Sequence, residues 1–314
     1  MSKQTRLSDR KKLRLVFQGI QSKESFRASL KQDGEIDFTD DIIKAAIAKC
    51  LEFNLASSTD KKSIVNPFLF VSNLRGICED LIVITYAVSL GHSDAKELFR
   101  KQIALNFAKC VLTQRMFFEA NNPSQPIYGG LTDISELEAN VNAAQADLSA
   151  FWKTRGGRKK NGPSVKDMSR DVGLETTYSY IYFLSSNFVH FNVNALLRTG
   201  WGPPRGPFTY STSTMSKYYE DLSILYGTML FIGFYNAFSP LFFDNNLDAE
   251  ISALIDYVAD FGRWPEIVTF EELNQKLPSP IIHAIYMTRA KENAGSETLS
   301  LMAEIRNLRG KGQI

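Results

Sequence analysis

Apolar positions recur along this chain every three to four residues, and no stretch shows the strict alternation of a half-buried strand. Leu13, Val16, Phe17 and Ile20 mark an amphipathic helix within Ser8 to Leu30, with Arg6, Arg10, Lys11, Lys12 and Arg14 as its basic face. Asp33-Gly34 breaks it, and Thr39-Asp40-Asp41 opens a helix through about Leu55. Asn66-Pro67 starts a long helix through Ser89, and Gly91 closes it. Ser93-Asp94 then opens a helix to about Ala120. The loop from Asn121 to Gly130 follows, and a helix runs from Thr132-Asp133 to Trp152. Ser164 to Asp171 reads as a short helix ended by Gly173. Tyr178 to Arg198 reads as one continuous helix. Arg198 to Thr214, with three prolines and three glycines, is excluded from helix. Two further helices are predicted, about Met215 to Phe238 and Leu247 to Phe261.

This pattern predicts an all-α fold, a bundle of long helices with helical extensions at both ends. The expected parts are an N-terminal extension over 1–62, the bundle core over 63–262 and a C-terminal appendage over 263–314. The strongest linker signal inside the core is Lys153 to Pro163, rich in glycine and positive charge.

Composition narrows the partners only a little. The chain has 314 residues, 44% hydrophobic and 22% charged, enough to build a sizeable core, and its net charge of +2 selects neither nucleic acid nor membrane. Three widely spaced cysteines, Cys50, Cys78 and Cys110, argue against a disulfide framework or zinc site and are expected as buried small hydrophobes. With a polar, basic opening lacking an apolar run, the expected location is the cytoplasm. Leu222 to Phe243 carries no charge over 22 residues, long enough to span a bilayer, but its Tyr, Ser, Thr, Asn and Pro favour a buried central helix and no membrane.

Candidate chemistry concentrates in the Tyr178–Arg198 stretch. Tyr178, Tyr182, Ser186, His190 and Asn194 recur every fourth residue, so Tyr182, Ser186 and His190 share one face. A polar ladder on an apolar helix needs hydrogen-bond partners, which reads either as a satisfied core histidine or as half of an active site. Arg75 and Glu79 stand four apart on the helix opened by Pro67. They form either an intrahelical surface ion pair or a set reaching His190, with Glu79 orienting the imidazole and Arg75 holding a phosphate. His92, His190 and His283 lack metal-ligand spacing, and no G-x-S-x-G or phosphate-cradling glycine loop occurs, so no metal and no cofactor is expected. Lys153, Arg155, Arg158, Lys159 and Lys160 read first as a solvated loop and second as an RNA phosphate contact. The Trp201 to Phe208 loop reads as a lid or a rigid crossover.

Three stretches together resemble the bacterial family of unknown function DUF5677, over about residues 65–198. They are Leu74-Arg75 through Glu79, Pro163 to Met168 leading into Gly173-Leu174, and the Tyr182, Ser186, His190 series. A more distant likeness is to HEPN ribonucleases, through Asn187-Phe188-Val189-His190. The position of that motif's arginine holds Ser185 or Ser186, so the likeness implies cleavage only if Arg75 supplies the cation. It implies a metal-independent ribonuclease-like, toxin-like effector in phage defence. His190 would be acid or base, Arg75 the phosphate ligand, Glu79 the orienting group, and Tyr182, Ser186 and Asn187 the supporting shell. It further implies a homodimer pairing two His-bearing helices. The alternative is a non-enzymatic sensor or interaction subunit with a defence-system protein partner.

Overall fold

A computed structural model describes residues 3–23, 38–59, 66–155, 162–190, 192–200, 210–239 and 247–269. These form ten helices and no strand: α1 (Lys3–Lys23), α2 (Phe38–Ser57), α3 (Phe68–Ser89), α4 (His92–Asn121), α5 (Ile134–Thr154), α6 (Val165–Asp171), α7 (Glu175–Val189), α8 (Val193–Thr199), α9 (Ser216–Phe238) and α10 (Asp248–Ala259). The all-α expectation holds.

The bundle is built around α9. Its residues from Leu222 through Phe234 are all buried, on every side of the helix, as an uncharged segment must be when helices surround it. It packs against α2, α3 and α10. That is where the charge-free stretch finds its explanation: among the described residues no helix is long and apolar enough to cross a membrane. The packing is close enough to require glycine at one point. A Cβ at Gly227 would lie 2.6 Å from the Phe53 ring and 2.8 Å from Asn54 Oδ1, while the Asn54 amide donates to the Gly227 carbonyl at 3.0 Å. Gly227→Ala is therefore expected to lower stability by about 1–3 kcal/mol through overpacking, seen as a lower urea midpoint.

The N-terminal segment joins the same core. Phe17 and Ile20 are fully buried, the Phe17 and Phe231 rings meet edge-to-face at 5.5 Å, and Arg10 of the basic face pairs with Glu220 and Asp221 at the start of α9. At the other end, residues past α10 lie across the bundle. Tyr180 and Tyr226 donate hydroxyls to the Pro265 carbonyl, Tyr218 to that of Glu266, and Arg198 to that of Ile267. The expectations for Asp33-Gly34, the Trp201–Phe208 loop, Arg158, Lys159, Lys160 and the chain beyond residue 269 lie outside the described residues.

Two expectations are corrected. The stretch from Tyr178 to Arg198 is two helices, α7 and α8, because Asn192 leaves helical geometry and its side chain caps α8 by accepting from the Ala195 amide at 3.1 Å. Cys110 is exposed, whereas Cys50 and Cys78 are buried. Burial pushes the Cys78 thiol up to about 12 and that of Cys50 higher still, so both stay protonated at neutral pH.

Candidate functional site

The site forms where α3 and α7 pack together. On α3, Leu74, Ile77, Cys78 and Leu81 face the core, which leaves Arg75 and Glu79 one turn apart on its rim. α7 is aimed by the short helix before it. Ser164 and Asp167 form a reciprocal capping box at the start of α6. Gly173, at φ 76°, supplies the left-handed turn between α6 and α7 that a larger side chain would strain. Along α7, Ile181 and Leu184 are buried, and Tyr182, Ser186 and His190 come to the rim facing Arg75.

The Arg75 guanidinium is the hub. Its Nε donates to Glu79 Oε1 at 2.8 Å. Its Nη1 lies 3.4 Å from Ser186 Oγ and 3.4 Å from His190 Nε2, and its plane sits over the Tyr182 ring, 4.3 Å from the centroid. A guanidinium can only donate, so His190 Nε2 faces it as an acceptor and the ring proton of the neutral form is assigned to Nδ1. The hydrogen bond that Arg75 donates to Glu79, with the carboxylate's charge, raises the Arg75 pKa and secures the cation. Tyr182 stacks in turn on Tyr178, with centroids 5.4 Å apart. The Tyr178 hydroxyl is raised first by burial and then by the Glu79 charge, so it remains a neutral donor.

Five of the six candidate side chains thus meet, in one respect differently from the expectation. Glu79 holds Arg75 rather than the imidazole, because the two share a helix face at i, i+4. Asn187 takes another place: its side-chain oxygen accepts from Asn192 at 2.7 Å, tying the end of α7 to the cap of α8. His190 itself has left the helix, with ψ 162°, while its amide still bonds the Ser186 carbonyl. The Asn187–Asn192 bond therefore fixes the turn that presents the ring. Asn192 is the residue that fourfold spacing did not reveal, and Asn before a short apolar run is the signal that marks such a cap.

The site is open. His190 is exposed, and the Arg75 and Glu79 side chains retain 26% and 29% of their accessibility. A surface pair of this kind adds at most about 1 kcal/mol to stability. Glu79→Gln should leave the melting temperature nearly unchanged while loosening the guanidinium, and thermal melting beside an anion-binding titration would check both halves. Elsewhere, Arg155 is engaged by Asp94 and Glu97, and Lys153 ends α5 exposed. Among the described residues no three His, Cys, Asp or Glu side chains gather as a metal would need.

No curated protein and no solved structure matches the chain. The model of DUF5677, a family of unknown function, matches residues 71–202. That span holds Arg75, Glu79 and the whole of α7, so the segment that builds this site resembles DUF5677, as its three sequence stretches indicated.

Proposed function

We propose that the Arg75–His190 pair binds and cleaves RNA phosphodiesters without a metal, His190 acting on protons and Arg75 on the phosphate. The observation that carries this reading is the 3.4 Å approach of a fixed guanidinium to an exposed imidazole Nε2. A non-bridging phosphate oxygen takes the guanidinium N–H groups, and the imidazole then stands beside the ribose. Nε2 removes the 2′-hydroxyl proton, the 2′ oxygen bonds to phosphorus, and the bond from phosphorus to the 5′ oxygen breaks. The departing 5′ oxygen takes a proton from solvent water and His190 gives up the one it gained to solvent, leaving a 2′,3′-cyclic phosphate. Openness suits a polymer, which an enclosed pocket would exclude. The cellular role in this reading is a toxin-like effector of phage defence.

The test is incubation of the full chain with a single-stranded RNA and its 2′-deoxy counterpart in excess EDTA. Cleavage of RNA alone, with cyclic phosphate ends, is the expected result; an intact RNA, or equal cleavage of both, overturns it.

A second reading, a non-enzymatic sensor or interaction subunit, is favoured by exposed apolar residues beside the site: Phe183, Val189, Val193, Leu196 and Leu197. Under it, RNA stays whole, and charges placed at Leu196 and Leu197 abolish binding to a defence-system protein partner.

A further inference from the structure

Past α10 the chain crosses the bundle without regular structure, and three successive backbone carbonyls tie it down as a strap. Pro265 accepts from Tyr180 of α7 and Tyr226 of α9, each at 2.8 Å. Glu266 accepts from Tyr218 of α9, and Ile267 from Arg198 of α8. Trp264 seats the start of the strap edge-on against Tyr226, with ring centroids 6.4 Å apart. Burial pushes the Tyr180 and Tyr226 hydroxyls up, so both stay protonated donors at neutral pH.

α8 is the helix that depends on this hold. It has seven residues, and helices shorter than about 12–15 residues are marginal without tertiary support. Its chief helix neighbour is α7. Ala195 is buried, whereas Val193, Leu196 and Leu197 are exposed. The place of α8 is therefore set at its ends. At the first, Asn192 caps the helix and bonds Asn187 of α7. At the last, Arg198 donates to the Ile267 carbonyl, its guanidinium 5.9 Å from the Tyr218 ring centroid. The neighbouring Thr199 carbonyl accepts from the Ser211 amide and the Thr214 hydroxyl, each at 2.8 Å. His190 stands two residues before Asn192, past the end of α7 and exposed. An exposed ring has no packed core to fix it, so beyond its contact with Arg75 the turn anchored by α8 decides where Nε2 points.

We propose that the strap positions His190, and that Arg198 is the positioning residue through which it does so. Arg198 acts through α8 rather than on substrate. It holds the last turn of α8, α8 holds Asn192, and Asn192 with Asn187 holds the turn that carries the imidazole. The bonds at Thr199 fix where α8 ends, and Arg198 fixes how the helix is turned about that point. The proposal rests on the Arg75–His190 pair being the functional centre, but its test reads the imidazole itself and is decided whether or not RNA is cleaved.

The test compares the full-length wild type with Arg198→Ala, Arg198→Lys and the double variant Tyr218→Phe/Tyr226→Phe, each checked by circular dichroism. The tyrosine variant keeps both rings, removes the hydroxyls that tie the strap to α9 and leaves α7 and α8 intact. Lysine keeps a cationic donor, and one carbonyl needs only one. The readouts are the histidine ring signals in NMR, assigned through His190→Ala, and hydrogen exchange over residues 187–199. In Arg198→Ala and in the tyrosine variant the His190 signals should shift while those of His92 on α4 stay. Exchange should quicken roughly fivefold or more, the effect of losing one hydrogen bond. Arg198→Lys should match the wild type in both. With the nuclease reading, Arg198→Ala should also lower kcat about a hundredfold at unchanged KM, since a misplacement of about 1 Å has that effect while Arg75 still takes the phosphate. RNA left whole while the ring signals shift would sink the nuclease reading alone. Folded Arg198→Ala or tyrosine variants whose His190 signals match the wild type would overturn the proposal, as would an Arg198→Lys protein that behaves like Arg198→Ala.

Discussion

His190→Ala is expected to slow RNA cleavage about a hundredfold to ten-thousandfold, the range lost when a positioned general base is removed. Arg75→Ala should cost about a hundredfold to a thousandfold, as removal of a single preorganised donor to a developing charge does. The two losses have different origins: without His190 the attacking hydroxyl keeps its proton, and without Arg75 the phosphate is neither placed nor neutralised. Arg75→Lys should resemble Arg75→Ala more than wild type. A lysine carries the charge but cannot bond Glu79, face Ser186 and His190 and stack on Tyr182 together, as the planar fork does. Cleavage rates measured in EDTA on variants with unchanged circular dichroism check all three, and a folded His190→Ala protein with the wild-type rate would contradict them. Their folding is not at risk, because the site lies on a partly exposed rim and an ion pair there adds little to stability.

The second large effect concerns the N-terminal helix. Phe17→Ala should destabilise the whole protein by about 3–5 kcal/mol, the range for deleting a buried aromatic ring. Phe17 is completely buried and meets Phe231, itself completely buried in α9. α1 therefore unfolds with the bundle, and chemical denaturation followed by circular dichroism should show a single transition at a lower midpoint. Two transitions, the first confined to α1, would contradict this. The double variant with Phe231→Ala should show about 0.5–1.5 kcal/mol of coupling beyond the separate losses, the worth of an edge-to-face pair.

The helices were legible in the sequence because their apolar period is strong and glycine, proline and capping residues punctuate it. The segment from Leu222 onward could be assigned to the centre of a bundle because its polar residues suit protein better than lipid, and Ser223 and Thr228 are indeed fully buried in α9. Local spacing could place Tyr182, Ser186 and His190 on one face and Arg75 beside Glu79. Spacing within one helix could not establish which helices pack together, so the meeting of α3 and α7 needed the structure. The break at His190 was hidden for a similar reason: the stretch from Tyr178 keeps helical periodicity through its last turn, and the extended backbone at His190 and Asn192, with the side-chain bonds of Asn192 to Ala195 and Asn187, shows the chain turning. The same holds for α1: its basic face was legible in the sequence, but that Arg10 of this face meets two acids on α9 was not. Cys110 is exposed against expectation because a helix with apolar residues on both faces does not declare which one is covered.

The central claim is that Arg75 and His190 act as one unit on one phosphate. The most direct measurement is the EDTA-resistant RNA cleavage rate of the Arg75→Ala/His190→Ala double variant against each single variant. If the pair works as a unit, the double variant is scarcely slower than the worse of the two singles, as with catalytic groups that serve the same step. A double variant whose loss equals the product of the single losses would mean the two residues act apart, and the composite site would be contradicted.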